Sequence, residues 1–164
     1  MNTEPTRRPR AADILRDPVH LLAFGFGAGL APRAPGTFGT LVAVPIAYGL
    51  ALLPPWWRGG VIVALCIVGI WICGQSARRL GVHDYSGIVF DEIAGYQVAF
   101  AIAPFSLLSL GTCFVLFRFF DIVKPSPIGW LDRHVGGGIG IMLDDIVAGI
   151  YAGVIWLAIA QWIH

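Results

Sequence analysis

Four long stretches of this chain carry no Asp, Glu, Lys or Arg: residues 34–57, 59–77, 93–117 and 146–164. About 20 apolar residues in a helix cross the ~30 Å hydrocarbon core of a bilayer. Within that core every backbone N–H and C=O has to be satisfied internally, which a helix achieves. The stretches therefore predict an all-α, polytopic helical membrane protein. Composition agrees, since 13% of residues are charged and 57% hydrophobic, against about 25% charged in an average soluble domain. At 164 residues this is one compact bundle with no room for a second. A net charge of +1 lacks the basic excess that nucleic acid demands, so no nucleic-acid partner is expected.

Residues 1–19 read as a basic cytoplasmic arm and 20–164 as a single helical membrane domain. The arm holds Arg7, Arg8, Arg10 and Arg16, but Asp13 and Asp17 interrupt it. The apolar run from Leu21 to Leu30 is short for a secretory signal and suits an interfacial or re-entrant segment. Cys66, Cys73 and Cys113 form no Cys-x-x-Cys pattern and read as small packing residues.

A first span is expected from about Thr37 to Leu53 despite Pro45, which neighbouring helices can accommodate. A second runs from about Gly60 to Gly74, with Pro54-Pro55-Trp56-Trp57-Arg58 between them as a loop bearing aromatic interface anchors. Residues 93–117 admit one span or a hairpin turning near Pro104 and Gly111. A single span would place Arg118, Lys124 and Arg133 outside. The positive-inside tendency favours a hairpin with helices near 87–103 and 106–122. The last span, from about Ile139 to Ile163, completes a bundle of about five. Segment 29–40 is too rich in Gly and Pro for a helix yet too apolar for a linker, and reads as a re-entrant loop with Arg33 and Thr37 in reach of a substrate.

Two acidic pairs, Asp91-Glu92 and Asp144-Asp145, interrupt this apolar background. A carboxylate facing lipid costs about 2.5–3.5 kcal/mol even on lenient scales, so such groups face the bundle interior and need a cation. Asp91-Glu92 opens the third helix, where acids also favour the positive end of the helix dipole. Asp144-Asp145 lies between Ile141-Met142-Leu143 and Ile146-Val147, where no such simple account is available. With the hairpin, both pairs gather on the cytoplasmic side. An oxygen-rich set without clustered His or Cys favours Mg²⁺ over zinc, with Asp91, Glu92, Asp144 and Asp145 as candidate ligands.

Arg118, Asp121 and Lys124 recur every three residues on one helical face, and Lys124-Pro125 ends that helix. They read either as an ion-paired surface or as a ligand, Asp121, flanked by two cations for phosphate oxygens. Gly136-Gly137-Gly138-Ile139-Gly140 precedes the last span. It reads as a flexible, closely packed turn or as an anion nest at a helix N-terminus, with Arg133 beside it. His83 and His134 are candidate general acids or ordinary surface histidines, while His20 and His164 have no evident part.

Four ordered motifs, GLAPRAPGTFGTL at 29–41, GVHDYSGIVFDEIAG at 81–95, FRFFDIVKPSPI at 117–128 and GGGIGIMLDDIVAG at 136–149, resemble the phosphatidylglycerophosphatase A family. The resemblance runs from about His20 to Gly153. It implies a Mg²⁺-dependent hydrolase of the bacterial cytoplasmic (inner) membrane, with its site facing the cytoplasm. The implied reaction removes the terminal phosphate of phosphatidylglycerophosphate to leave phosphatidylglycerol. It places the family's acidic positions on Asp84, Asp91, Glu92, Asp121, Asp132, Asp144 and Asp145, and its Arg and Lys on Arg118 and Lys124. Phe90 replaces an expected tryptophan and Thr40 a common serine. Together the residues and the resemblance assign catalysis to Asp91, Glu92, Asp121, Lys124, Asp144 and Asp145. Substrate binding falls to Arg33, Thr37, Arg118, Lys124, Arg133, Gly137 and Gly138.

Two other readings compete. A CDP-alcohol phosphatidyltransferase also gathers aspartates in a membrane bundle, but its D-G-x₂-A-R-x₈-G-x₃-D-x₃-D run is missing from this sequence. A divalent-cation transporter would place carboxylates near the bilayer midplane with access from both sides. Oligomeric state is not legible in the sequence.

Overall fold

A computed structural model describes residues 10–82 and 85–163. The candidate residues His83, Asp84 and His164, with Arg7 and Arg8 of the arm, lie outside the described residues. The described elements are all helical, with no strand among them. They are α1 (Ala11–Arg16), α2 (Pro18–Ala23), a 3₁₀ segment (Gly25–Leu30), α3 (Pro35–Ala51), α4 (Pro55–Leu80), α5 (Phe90–Ile102), α6 (Leu107–Val123), α7 (Ile128–His134) and α8 (Gly137–Ile163).

Local chemistry sets most of the boundaries. Pro18, Pro35 and Pro55 each open a helix, where the missing N–H costs nothing and the fixed φ is already helical. The Asp17 carboxylate caps α2 by accepting from Val19 N–H at 2.8 Å, and the Ser106 hydroxyl caps α6 by accepting from Ser109 N–H at 3.0 Å. Gly81 ends α4 with φ +68°, the left-handed turn that glycine adopts freely. Lys124 ends α6 in the same conformation, with Pro125 behind it to prevent continuation.

Two expectations need correction. The loop assigned to 54–58 is shorter, because Pro55 starts α4 and Trp56, Trp57 and Arg58 belong to its first turn. The Gly/Pro segment 29–40 is irregular only to Ala34. From Pro35 onward it is helix, and the Thr40 hydroxyl donates to Gly36 O at 2.9 Å. In both places proline initiates a helix, which composition alone misreads as a break. The glycine-rich turn is likewise drawn into α8 from Gly137.

Two helices, α4 with 26 residues and α8 with 27, are long and apolar enough to cross a membrane. The 13 residues of α5 extend only about 20 Å. The surface is apolar. Trp57, Ile67 and Trp71 on α4, Leu107, Val115 and Ile122 on α6, and Val154 and Trp162 on α8 are all exposed. Several polar side chains between the helices are buried and hydrogen-bonded. Tyr96 O–H donates to Leu110 O at 2.8 Å, Gln97 Nε2 to Ala43 O at 3.0 Å, and Trp156 Nε1–H to Ser109 Oγ at 2.8 Å. An outward apolar surface of this extent marks contact with lipid or another apolar partner.

The core lies between α5 and α8, which share the most extensive interface. A side chain on Gly95 would collide with the Asp145 carbonyl, and one on Gly149 with the Gly95 carbonyl. Small residues let two backbones approach this closely. That approach sets Asp91, one turn before Gly95, beside Asp145.

Candidate active site

At one end of the bundle, the starts of α3 and α5, the end of α6, the end of α7 and the interior of α8 enclose a cavity of about 260 Å³. Six of its lining residues are acids: Asp91, Glu92, Asp121, Asp132, Asp144 and Asp145. Two are cations, Arg118 and Lys124. With all eight ionised the wall carries a fourfold negative excess, an arrangement that calls for a bound cation.

Asp91, Glu92 and Asp145 each offer a ligand oxygen, and these oxygens all lie within 4.8 Å of one another. Asp91 and Asp145 are buried. Asp91 Oδ1 and Glu92 Oε2 have no hydrogen-bond partner among the described residues. Buried, unsatisfied carboxylate oxygens are costly, and two of them beside a third carboxylate, that of Asp145, fit a hard cation. The cluster can hold a metal ion.

Asp144 plays a different part. Its Oδ2 accepts from Lys124 Nζ at 2.6 Å and its Oδ1 from the Asp145 N–H at 3.1 Å. Both oxygens are engaged, which sets it apart from the three-carboxylate cluster. Lys124 Nζ also donates to Asp132 Oδ1 at 2.7 Å. Burial pulls the Lys124 pKa down, but the hydrogen bonds it donates to Asp132 and Asp144 outweigh it, and the net shift is upward.

Arg118 is enclosed by acids. Its Nη1 lies 2.5 Å from Asp121 Oδ2 and 3.7 Å from Glu92 Oε1. The Asp121 contact is an ion pair lying off the line of the N–H bonds, so Nη1 and Nε remain buried without an aligned acceptor. A buried guanidinium with unused donors suits a tetrahedral oxyanion, which accepts in several directions.

The structure thus gathers Asp91, Glu92, Arg118, Asp121, Lys124, Asp144 and Asp145 from motifs far apart in the chain. Arg33, Thr37, Arg133, Gly137 and Gly138 do not line the cavity. Arg33 and Arg133 are exposed beside its wall residues Ala34 and Asp132. A side chain on Gly138 would strike the Ile70 carbonyl, so this glycine serves close packing of α8 on α4. The cavity also contains residues to which sequence reasoning gave no role. Asp132 was visible only as a matching acidic position. Gly36 sits in the first motif and Ser86 in the second without distinguishing themselves from their neighbours.

A helical bundle with an apolar exterior and, among the described residues, a cavity of carboxylates, arginine and lysine fits a class, the membrane-type phosphatases, and its acidic cluster could hold a metal ion. The chain belongs to the phosphatidylglycerophosphatase A family, whose model matches residues 21–160. Phosphatidylglycerophosphatase A of Escherichia coli (strain K12) is 42% identical, with 94% of each chain covered. The protein of the same name from Haemophilus influenzae is 41% identical over 90% of this chain and 92% of its own. No solved structure matches the chain.

Proposed function

We propose that this protein is a membrane lipid phosphatase that hydrolyses the terminal phosphomonoester of phosphatidylglycerophosphate, yielding phosphatidylglycerol and phosphate. One observation carries the reading beyond family membership. The three-carboxylate cluster, the donors of Arg118 and the fixed ammonium of Lys124 face a single cavity at one end of an apolar-surfaced bundle.

Asp91, Glu92 and Asp145 would hold Mg²⁺, consistent with their oxygen-only chemistry. When bound, the ion supplies Lewis acidity and lowers the pKa of a water. Arg118 donates Nε–H and Nη1–H to the phosphoryl oxygens, and Lys124 adds a positive charge beside them. Asp132 and Asp144 hold that ammonium in place, and Asp121, ion-paired to Nη1, orients the guanidinium. The P–O bond to the glycerol breaks, water adds its oxygen to phosphorus, and the leaving alkoxide takes up a proton.

The exposed Arg33 and Arg133 would meet anionic lipid groups at the mouth, with Thr37 and the Gly137-Gly138 turn nearby. Five crossings, with α5 and α6 as a hairpin and the acidic end facing the cytoplasm, fit the positive-inside distribution and the apolar exterior. The expected location is the bacterial cytoplasmic membrane.

The test is phosphate release from phosphatidylglycerophosphate in detergent micelles by purified protein. EDTA should abolish release and Mg²⁺ restore it. No release under any metal condition overturns the function, and undiminished release from metal-stripped enzyme overturns the metal assignment. Divalent-cation flux into proteoliposomes without phosphate release would instead support transport.

A further inference from the structure

A second cavity, of about 140 Å³, adjoins the charged one, and Pro35 and Ser86 line both. Its chemistry is the opposite of its neighbour's. Among the described residues its wall holds no carboxylate and no basic side chain. It is built from residues 29–32, Gly87 and the shared pair, with Tyr85 and Ser86 as its hydroxyl-bearing side chains.

The cavity is shaped before any ligand arrives. The turn from Tyr85 to Ile88 is closed by the Ile88 N–H donating to Tyr85 O at 2.8 Å, which holds Ser86 at the corner between the two spaces. The next residue is tethered through Val89 N–H to Ala23 O at 2.8 Å. The Tyr85 ring packs on Phe24 with centroids 5.8 Å apart. Gly29 and Gly87 meet backbone to backbone, since a side chain on Gly29 would strike the Gly87 carbonyl.

Under the proposed reaction, on which this argument rests, the terminal phosphate occupies the charged cavity and the rest of the headgroup must leave it. The next unit is a glycerol linker, uncharged and bearing one free hydroxyl. A linker leaving across Pro35 and Ser86 enters a space that is polar, neutral and close to a fixed hydroxyl. We infer that the second cavity is the subsite for this glycerol linker, with Ser86 hydrogen-bonding its free hydroxyl and Tyr85 forming the adjoining wall. The enzyme would thereby distinguish a glycerol-linked phosphomonoester from one joined directly to diacylglycerol.

The experiment compares kcat/KM for phosphatidylglycerophosphate and for an analogue whose linker is 1,3-propanediol, lacking only the free hydroxyl. Wild type should prefer the natural linker by about 10-fold or more, because a site that hydrogen-bonds a hydroxyl discriminates against its loss. In Ser86→Ala the preference should collapse towards unity. Ser86 is exposed, so the truncation leaves no buried group unsatisfied. Tyr85→Phe keeps the ring on Phe24, and with it the wall, and should leave the preference intact. Equal rates of wild type on the two substrates overturn the subsite. So does a preference that persists undiminished in Ser86→Ala, which would place the hydroxyl elsewhere. Wild type that releases phosphate from neither lipid overturns the phosphatase reading itself, a distinct result.

Discussion

Lys124 Nζ donates to Asp144 Oδ2 at 2.6 Å, tying the end of α6 to the interior of α8. Lys124→Met should remove both this bond and the one to Asp132, leaving Asp144 without its cation. The loss of a hydrogen-bonded charge partner destabilises by about 1.5–3 kcal/mol, and activity should fall with it. The pH dependence has a defined sign. The folded pKa of Lys124 is raised, so its contribution is complete below the unfolded value of about 10.4 and fades as pH rises through the folded value. The difference in melting temperature between wild type and variant should therefore stay flat from about pH 7 to about pH 10. A difference that shrinks within that window contradicts the assignment.

Asp91→Asn and Asp145→Asn should each lower turnover on the order of 100-fold or more, since changes to the supports of metal ligands alone cost 10–100-fold. Folding should survive, because each substitution relieves repulsion in a crowded acidic cluster. Melting curves supply the second readout. Added Mg²⁺ should raise the melting temperature of wild type, as any ligand of the folded state does, and should leave the two variants unmoved. Variants that melt much earlier yet keep their activity would make these acids structural.

Gly36→Ala tests how tightly the site is built. A methyl group there would run into the Glu92 carboxylate and the Arg118 guanidinium. Alanine is the better helix former by about 1 kcal/mol, so a slack site would accept it with a gain in stability. We expect a loss of activity of at least about 10-fold instead, from displacement of the guanidinium proposed to bind phosphate. Gly111→Ala, on α6 with open space around it, is the control and should be neutral or stabilising. Matching behaviour of the two variants would remove Gly36 from the site.

Topology is open to chemical labelling. Single cysteines at Ser86 and Ser126, both exposed, should react alike with an impermeant reagent in oriented vesicles of a protein lacking Cys66, Cys73 and Cys113. Opposite accessibility would show that residues 93–117 cross the membrane once, contrary to the proposed five crossings.

The sequence alone established helical architecture, because uncharged stretches of such length leave the backbone few other ways to satisfy itself. It also singled out the acidic pairs and the Arg118–Lys124 segment, since charges within apolar sequence are conspicuous for their cost. Proline misled it at 35 and 55, where composition cannot separate a helix start from a break. Only tertiary structure decided which charges work together. The Gly95–Gly149 approach, invisible as spacing, sets Asp145 beside Asp91 and Glu92, while Asp144, its neighbour in sequence, points to Lys124. Successive residues on a helix diverge by about 100°, so two adjacent aspartates that look equivalent in the chain meet different partners in space. Gly36 and Ser86 escaped notice for the same reason, as their importance lies in what other helices bring against them.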